Sequence, residues 1–142
     1  MAGVKLTKKE KRALRRQLKQ QGYEPGVGMQ LRTFQPLTNN QRRAFESYYN
    51  GKNLMLYGSA GTGKTFLSMY LSLQEILESD IYQKLVIVRS AVPSKNQGFL
   101  PGSLKEKTKV YESPYYAICS ELFGRGDAYD VLKSKNKIEF HS

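Results

Sequence analysis

A glycine-rich stretch near the middle of the chain constrains the fold more than any other feature. The segment Asn53–Leu73 reads NLMLYGSAGTGKTFLSMYLSL: a short apolar run, a glycine-rich loop, and a mostly apolar segment of helical length. Eight consecutive residues fit the pattern G-x-x-x-x-G-K-[ST] in full, namely Gly58, Ser59, Ala60, Gly61, Thr62, Gly63, Lys64 and Thr65. This pattern is typical of a phosphate-binding loop between a β-strand and an α-helix. The sequence therefore predicts a strand at 53–57 and a helix at 64–79.

The residue types of this loop suit a nucleotide polyphosphate. Glycines let successive backbone N–H groups point at one anion, and the N-terminus of the following helix adds partial positive charge. Lys64 is predicted to contact the β- and γ-phosphates and is our catalytic candidate. The Thr65 hydroxyl is the predicted ligand of Mg²⁺.

The rest of the chain alternates between strand and helix patterns. The predicted elements are a helix in TNNQRRAFESYYNGKN that stops at Gly51, a strand at 84–89, a helix from about 104, and a strand near 137–141. A second helical piece is expected to be capped at Ser113, with Pro114 in its first turn. Strands alternating with helices are typical of a parallel sheet, so the predicted fold class is α/β with flanking helices.

Positive charge is concentrated at the front of the chain. The net charge is +11, and residues 1–52 contain 12 Lys and Arg against three Asp and Glu. Thr7 and Glu10 have capping-box spacing, followed by a narrow apolar stripe at Ala13, Leu14 and Leu18. Three interpretations stay open: an arm that contacts nucleic-acid phosphates, a solvated tail, or, less favoured because the stripe has no Trp, Phe or Ile to insert, an arm on an anionic membrane surface. Glycines and prolines after it indicate a linker, so we assign 1–34 to arm and linker and 35–142 to the core domain.

Several classes of protein are excluded by what the sequence lacks. The longest apolar runs, such as LVIV, are far shorter than a membrane helix, and no apolar block follows the basic N-terminus as in a secretory signal. One cysteine, Cys119, and one histidine, His141, exclude a disulfide framework and disfavour a zinc site. We therefore expect an intracellular, cytoplasmic protein with no membrane partner, in which Cys119 is a small buried hydrophobe.

Gln41 allows two interpretations. Its amide could bind the N6 and N7 edge of adenine, because one amide supplies both the donor and the acceptor that this edge requires. In TNNQ it could instead complete a capping box with Thr38, each satisfying the other's backbone. Tyr48 and Tyr49 could stack on a base, but their helical spacing favours packing.

The three segments LTNNQRRAF, LYGSAGTGKTFLSMYLSL and LVIVRSAVPSKNQGFLPGSLKEKTKVYESPYYAI resemble the PhoH family of P-loop ATPases, including its bacteriophage members. The most specific part is GFLPGSLKEK, Gly98–Lys107, and the resemblance runs from Gln35 to the end. It implies a RecA-like core related to superfamily 1 helicases, ATP as ligand, RNA-directed activity in some members, a link to phosphate starvation, and a homo-oligomeric ring. Ser59 and Ser90 depart from the family, in which many members have proline.

The resemblance also assigns roles to single residues. It implies that Gln41 contacts adenine and that Arg89, at the end of the second strand, contacts single-stranded nucleic acid. Lys95 is a further nucleic-acid candidate. The alternative for Arg89 is a surface arginine that closes a strand. If the chain is phage-encoded, its location is the cytoplasm of the bacterial host.

One part of the hydrolytic machinery has no match in the sequence. ATP hydrolysis in this architecture requires an apolar strand that ends in an acidic residue, and no apolar run of this chain does so. Asp127 and Asp130 lie in a turn or at a helix start, where caps are more common than metal ligands. We therefore expect the front half of a PhoH-like domain that binds ATP and Mg²⁺, with ATPase activity on RNA in the full-length protein. The alternatives are a non-hydrolysing binding module and, less favoured, a small-molecule kinase.

Overall fold

The described part of the chain contains four helices and two strands. The structure is a computed structural model that describes Thr7, Lys9, Glu10, Ala13 and residues 29–79, 81–90 and 104–142. In chain order the elements are α1 (Asn39–Tyr49), α2 (Lys64–Glu78), β1 (Leu85–Val88), α3 (Leu104–Phe123), α4 (Ala128–Ser134) and β2 (Ile138–His141). The predicted helix at 64–79 and the strands at 84–89 and 137–141 are confirmed to within a residue at each end. The segment between the predicted strand at 84–89 and the predicted helix from about 104 lies, at residues 91–103, outside the described residues.

The two strands form a parallel pair. Leu85 pairs with Ile138 and Val88 with His141, with the N–H of Leu85 donating to the carbonyl of Lys137 at 2.8 Å. Side chains alternate across a strand, so Ile87 and Ile138 are buried while Val86 and Val88 are exposed. The parallel sheet expected from the alternating pattern is thus confirmed, as a two-stranded sheet among the described residues.

The predicted strand at 53–57 is wrong. The segment is not part of a ladder, although its side chains alternate as in a strand: Leu54 and Leu56 pack against the core while Met55 and Tyr57 are exposed. A strand requires backbone hydrogen bonds to a neighbour, and no described residue provides that neighbour. An apolar run before the loop therefore does not by itself show that the partner a strand requires is present.

Helix α2 is the centre of the core. Six of its residues are buried, and Leu71 and Leu73 are almost completely so. The buried residues of the other elements come from the strands and from α3 and α4: Ile87, Cys119, Leu122, Phe123, Ala128, Tyr129, Leu132 and Ile138. This burial agrees with the mostly apolar sequence of the segment. Cys119 is also buried as predicted, and its burial raises the pKa of the thiol to about 12.

The predicted break at Ser113 is also wrong. Helix α3 is continuous from Leu104 to Phe123 and contains Pro114 in its interior. Proline removes one hydrogen bond, here the bond to the carbonyl of Val110, and Val110 lies on an exposed part of the helix where water can compensate. Burial of Cys119 and Leu122 further along the same helix outweighs this local cost.

A buried carboxylate connects α3 to α4. Glu112 is 7% exposed; it accepts a hydrogen bond from the Tyr129 hydroxyl at 2.7 Å and forms a salt bridge with Lys133 at 3.0 Å. Burial of the hydroxyl, with the carboxylate beside it, raises the pKa of Tyr129 well above its ordinary value. A buried charge is tolerated when it is paired and hydrogen-bonded, and Glu112 meets both conditions.

The chain before α1 also contacts the core. Met29, Leu31 and Phe34 pack against it, and the ring of Phe34 lies edge-on to that of Phe66 at 5.0 Å between centroids. The N–H of Arg32 donates to the carbonyl of Leu122 at 2.8 Å. Residues 29–34, which we assigned to the linker, therefore lie against the domain in the part that the structure describes.

Near the N-terminus, Thr7 and Glu10 bind each other's backbone. The capping box is confirmed, because the N–H of Thr7 donates to the Glu10 carboxylate at 2.7 Å and the N–H of Glu10 donates to the Thr7 hydroxyl at 3.3 Å. The backbone hydrogen bond from Thr7 lowers the pKa of Glu10. Leu14 and Leu18 lie outside the described residues.

No helix in the described ranges is long and apolar enough to cross a membrane.

Candidate nucleotide-binding site

The glycine-rich loop leads directly into α2. Gly63 is the N-cap of this helix and has a left-handed backbone with φ of 83°, and Gly61 has φ of 80°. L side chains rarely adopt this conformation, so glycine at these two positions is what allows the loop to turn into the helix. A buried helix with a free N-terminus behind a glycine loop is the geometry that binds phosphate groups.

Lys64 folds back over its own loop. Its ammonium group donates hydrogen bonds to the carbonyls of Gly58 and Ser59, at 2.8 and 2.7 Å, and to the Thr62 hydroxyl at 3.3 Å. An ammonium group has three donors, and each has an acceptor here. The lysine is therefore held at the loop by the two carbonyls, with a longer contact to Thr62.

Thr62 joins the two halves of the loop. Its hydroxyl donates to the carbonyl of Ser59 at 2.9 Å, which closes the loop on itself. Its carbonyl accepts a hydrogen bond from the side chain of Gln41 at 3.3 Å. The loop and the start of α1 are thus in contact, although they are 21 residues apart in sequence.

The capping-box prediction for Gln41 is half right. Its backbone N–H donates to the Thr38 hydroxyl at 3.2 Å, as a capping box requires. Its side-chain oxygen, however, accepts from the N–H of Leu37 at 2.8 Å, whereas a capping box places this bond on Thr38. The side-chain nitrogen is consequently directed to Thr62, so the amide bridges the entry to α1 and the phosphate loop.

Thr65 lies in the first turn of α2, directly after Lys64. Its side chain is exposed, as are Ser59 and Ala60 on the loop. Within the described residues no group of three or more His, Cys, Asp or Glu side chains could hold a metal ion. An exposed threonine hydroxyl one residue after the loop lysine fits the single protein ligand that Mg²⁺ takes from a phosphate loop.

The two aspartates after α3 are engaged elsewhere. Asp127 occupies the N-cap position of α4 but makes no side-chain cap bond; its carboxylate pairs with Arg125 at 2.6 Å. The hydrogen bond from Arg125 lowers the pKa of Asp127. Asp130 accepts from the Tyr116 hydroxyl at 2.7 Å. The positions at a turn and a helix start are confirmed, whereas the cap bond expected of Asp127 is not formed.

Arg89 makes a specific contact with α3. Its guanidinium donates to the carbonyl of Tyr111 at 3.1 Å and lies over the ring of the same residue, 5.5 Å from the centroid. A guanidinium in this position holds the end of β1 against α3, and the exposed side chain can still meet a ligand. Lys95, the second nucleic-acid candidate, lies outside the described residues.

Tyr48 and Tyr49 contact α2 rather than the loop. The Tyr48 hydroxyl donates to Glu75, and the Tyr49 hydroxyl donates to Gln74 at 2.7 Å. Partial burial raises the pKa of both tyrosines. These contacts favour the interpretation that Tyr48 and Tyr49 are packing residues.

A glycine loop of this pattern at the start of a buried helix, beside parallel strands, defines an α/β protein of the P-loop class. Residues 33–142 match the PhoH family, described as PhoH-like protein. The chain therefore belongs to the PhoH family, as the sequence resemblance predicted. No solved structure matches it.

Curated relatives agree with this assignment. The PhoH-like protein of Synechocystis is 32% identical over 103 residues, which is 72% of this chain and 31% of that protein. The PhoH-like protein of Bacillus subtilis is 38% identical over 83 residues, 58% of this chain and 25% of the relative. Protein PhoH2 of Bacillus subtilis is 42% identical over 69 residues, 48% and 16% respectively. The chain spans less than a third of the length of these relatives.

One residue at the site was not predicted from the sequence. Leu37 is 89% exposed and its N–H is bound by Gln41. An apolar residue just before a helix cap normally packs onto the first turn, so the sequence around Leu37 did not indicate that this side chain is exposed.

Proposed function

We propose that this chain binds ATP with Mg²⁺ at the loop Gly58–Thr65, in a domain of RecA-like type. The observation that carries the proposal is the convergence of Lys64 and Gln41 on Thr62, which brings a phosphate-binding charge and a base-reading amide to one loop. In the full-length PhoH-like protein we propose ATPase activity that acts with nucleic acid, RNA being the expected class.

Lys64 supplies the positive charge for the polyphosphate. Its two contacts to loop carbonyls fix the ammonium group, while the 3.3 Å contact to the Thr62 hydroxyl is the one that a phosphate oxygen can replace. A charge-assisted hydrogen bond to phosphate is stronger than a bond to a neutral hydroxyl, so the exchange is favourable. The lysine therefore needs little rearrangement to bind ATP.

Gln41 retains the capacity to bind adenine while it holds the loop. A carboxamide has two N–H donors and two acceptor lone pairs, and the contacts with Thr62 and Leu37 use one of each. The remaining donor and acceptor match N7 and the N6 amino group of adenine. Guanine presents two acceptors at the corresponding edge, so it would satisfy only the donor.

Thr65 is the residue that would hold Mg²⁺. The bound ion would supply positive charge to the β- and γ-phosphates. Thr65 lies in the first turn of α2, and its exposed side chain has room to direct the hydroxyl towards the ion.

Nucleic acid is the partner class that the charge distribution supports. Residues 1–52 carry 12 of the 23 Lys and Arg and only three of the 12 Asp and Glu. Arg89 and Lys95 are proposed to contribute phosphate contacts from the core. A homo-oligomeric ring, a cytoplasmic location and a role in phosphate starvation are further implications of the family resemblance.

A nucleotide-binding module without turnover is the second candidate function. The observation in its favour is that Asp127 and Asp130 are bound by Arg125 and Tyr116. Both carboxylates are therefore engaged by neighbouring side chains.

Measuring ATP hydrolysis with and without single-stranded RNA separates these functions. The ATPase proposal predicts turnover that rises when RNA is added and disappears in Lys64→Ala. ATP binding without hydrolysis in either condition would establish the module instead. Hydrolysis that RNA leaves unchanged, but that a small phosphate acceptor stimulates, would favour a kinase.

A further inference from the structure

Leu37 is an apolar side chain that the described residues leave almost fully exposed. It is 89% exposed, although it directly precedes Thr38, the N-cap of α1. A hydrophobic residue at this place usually packs against the fourth residue of the helix, which here is the charged Arg42. The usual packing partner of Leu37 is therefore missing.

The backbone of Leu37 is nevertheless fixed. Its N–H donates to the side-chain oxygen of Gln41 at 2.8 Å, and the nitrogen of the same amide donates to the carbonyl of Thr62 at 3.3 Å. Pro36 precedes it and restricts the chain on the other side. A single side chain thus ties an exposed leucine to the phosphate loop.

We propose that Leu37 is a base-contacting residue that covers one face of the purine ring while Gln41 binds its edge. This inference rests on the proposed ATP site. A purine has polar edges and apolar faces, so a residue that binds the edge leaves a face to be covered. The fixed and exposed leucine beside Gln41 meets that requirement, and binding would remove its apolar surface from water.

Exposed leucines are common on protein surfaces, and the chain provides a matched example without this connection. Ile81 is 76% exposed in the turn that follows α2. The 15 residues of α2 separate it from the loop by about 22 Å of helix. Ile81→Ala therefore removes a similar exposed side chain at a place where no nucleotide contact is proposed.

The test is calorimetric binding of ATP, GTP and inorganic tripolyphosphate, each with Mg²⁺, to the whole chain and to Leu37→Ala, Leu37→Met and Ile81→Ala. Tripolyphosphate occupies the loop but has no base. Leu37→Ala is expected to weaken ATP and GTP alike by about three- to tenfold, because both purines have an apolar face. Its tripolyphosphate affinity should be unchanged, Leu37→Met should restore most of the ATP affinity, and Ile81→Ala should bind all three ligands normally.

Two results would overturn the inference: Leu37→Ala lowers ATP and tripolyphosphate affinity equally, or it changes neither. The first would mean that Leu37 supports the shape of the loop, and the second that the base lies elsewhere. Failure of the proposed function has a different signature, since the unaltered chain would then bind neither ATP nor tripolyphosphate.

Discussion

Replacing Gln41 by alanine tests whether one amide serves both the loop and the base. The substitution removes the bonds to Leu37 and Thr62 and leaves the backbone bond to Thr38 in place. Both lost bonds are exposed to water, which replaces part of their energy, so together they are expected to contribute about 1 kcal/mol to the free energy of unfolding. Urea unfolding followed by circular dichroism measures this loss.

The effect on nucleotide binding is expected to be larger and selective. Two hydrogen bonds to adenine contribute about 1–2 kcal/mol, so the affinity for ATP should fall about five- to thirtyfold. The affinity for GTP should fall less, because guanine can use only the spare donor of Gln41. Titration calorimetry with both nucleotides gives the ratio of the two affinities, which is the quantity of interest.

Gln41→Glu is the matched control. It keeps an acceptor for the N–H of Leu37 but has no donor for the carbonyl of Thr62 or for N7 of adenine. ATP affinity should therefore fall while the entry to α1 stays intact, and ATP should still bind better than GTP, because the carboxylate accepts from the N6 amino group of adenine whereas guanine presents only acceptors at this edge. Equal losses of ATP and GTP binding in Gln41→Ala, or no change in either, would refute an adenine contact and leave Gln41 with a structural role alone.

Three further predictions follow from the fold, the charge distribution and the surface. Glu112→Ala leaves the hydroxyl of Tyr129 buried without a partner and should reduce the free energy of unfolding by about 2–4 kcal/mol in urea; a loss under about 0.5 kcal/mol would contradict the role of Glu112 in joining α3 to α4. Residues 1–22 hold eight Lys and Arg and one Glu, and deleting them should reduce the slope of log affinity for single-stranded RNA against log salt concentration by about 0.7 per lost phosphate contact. ATP binding should be retained. An unchanged slope would identify the arm as a solubilising tail. The hydrogen bond from Lys84 lowers the pKa of Glu139, so the stabilisation from this ion pair is complete above the unfolded pKa of glutamate and is lost as pH falls through the lower folded pKa. The difference in free energy of unfolding between the unaltered chain and Lys84→Ala should therefore disappear in acid. A difference that does not depend on pH would argue against the ion pair.

The parts of the fold that follow local rules were predictable from the sequence. The loop at Gly58–Thr65 and helix α2 were found because glycine, lysine and the apolar pattern constrain the backbone locally. The capping box at Thr7 and Glu10 is local in the same sense. The parallel arrangement of β1 and β2 followed from their separation by helices.

The errors arose where tertiary contacts decide the outcome. A proline rule predicted a helix start at Pro114, but the burial of Cys119 and Leu122 keeps α3 continuous. The apolar run before the glycine-rich loop predicted a strand at 53–57, yet pairing depends on a neighbouring strand that the run itself does not reveal. Spacing likewise indicated that Gln41 pairs with Thr38, and only the position of the loop in space shows why its amide also binds Thr62.

The central claim is that the loop binds the polyphosphate of ATP through Lys64, and titration calorimetry of Lys64→Ala with Mg²⁺ and ATP tests it most directly. The substitution removes one charge-assisted contact, which contributes about 1.5–3 kcal/mol, so affinity should fall roughly ten- to a hundredfold. Circular dichroism should show that the variant remains folded, because among the described residues the side chain of the lysine bonds to its own loop and not to the core. An affinity for ATP that stays within about a factor of two of the unaltered chain, a difference of less than about 0.5 kcal/mol, would contradict the claim and place the nucleotide elsewhere.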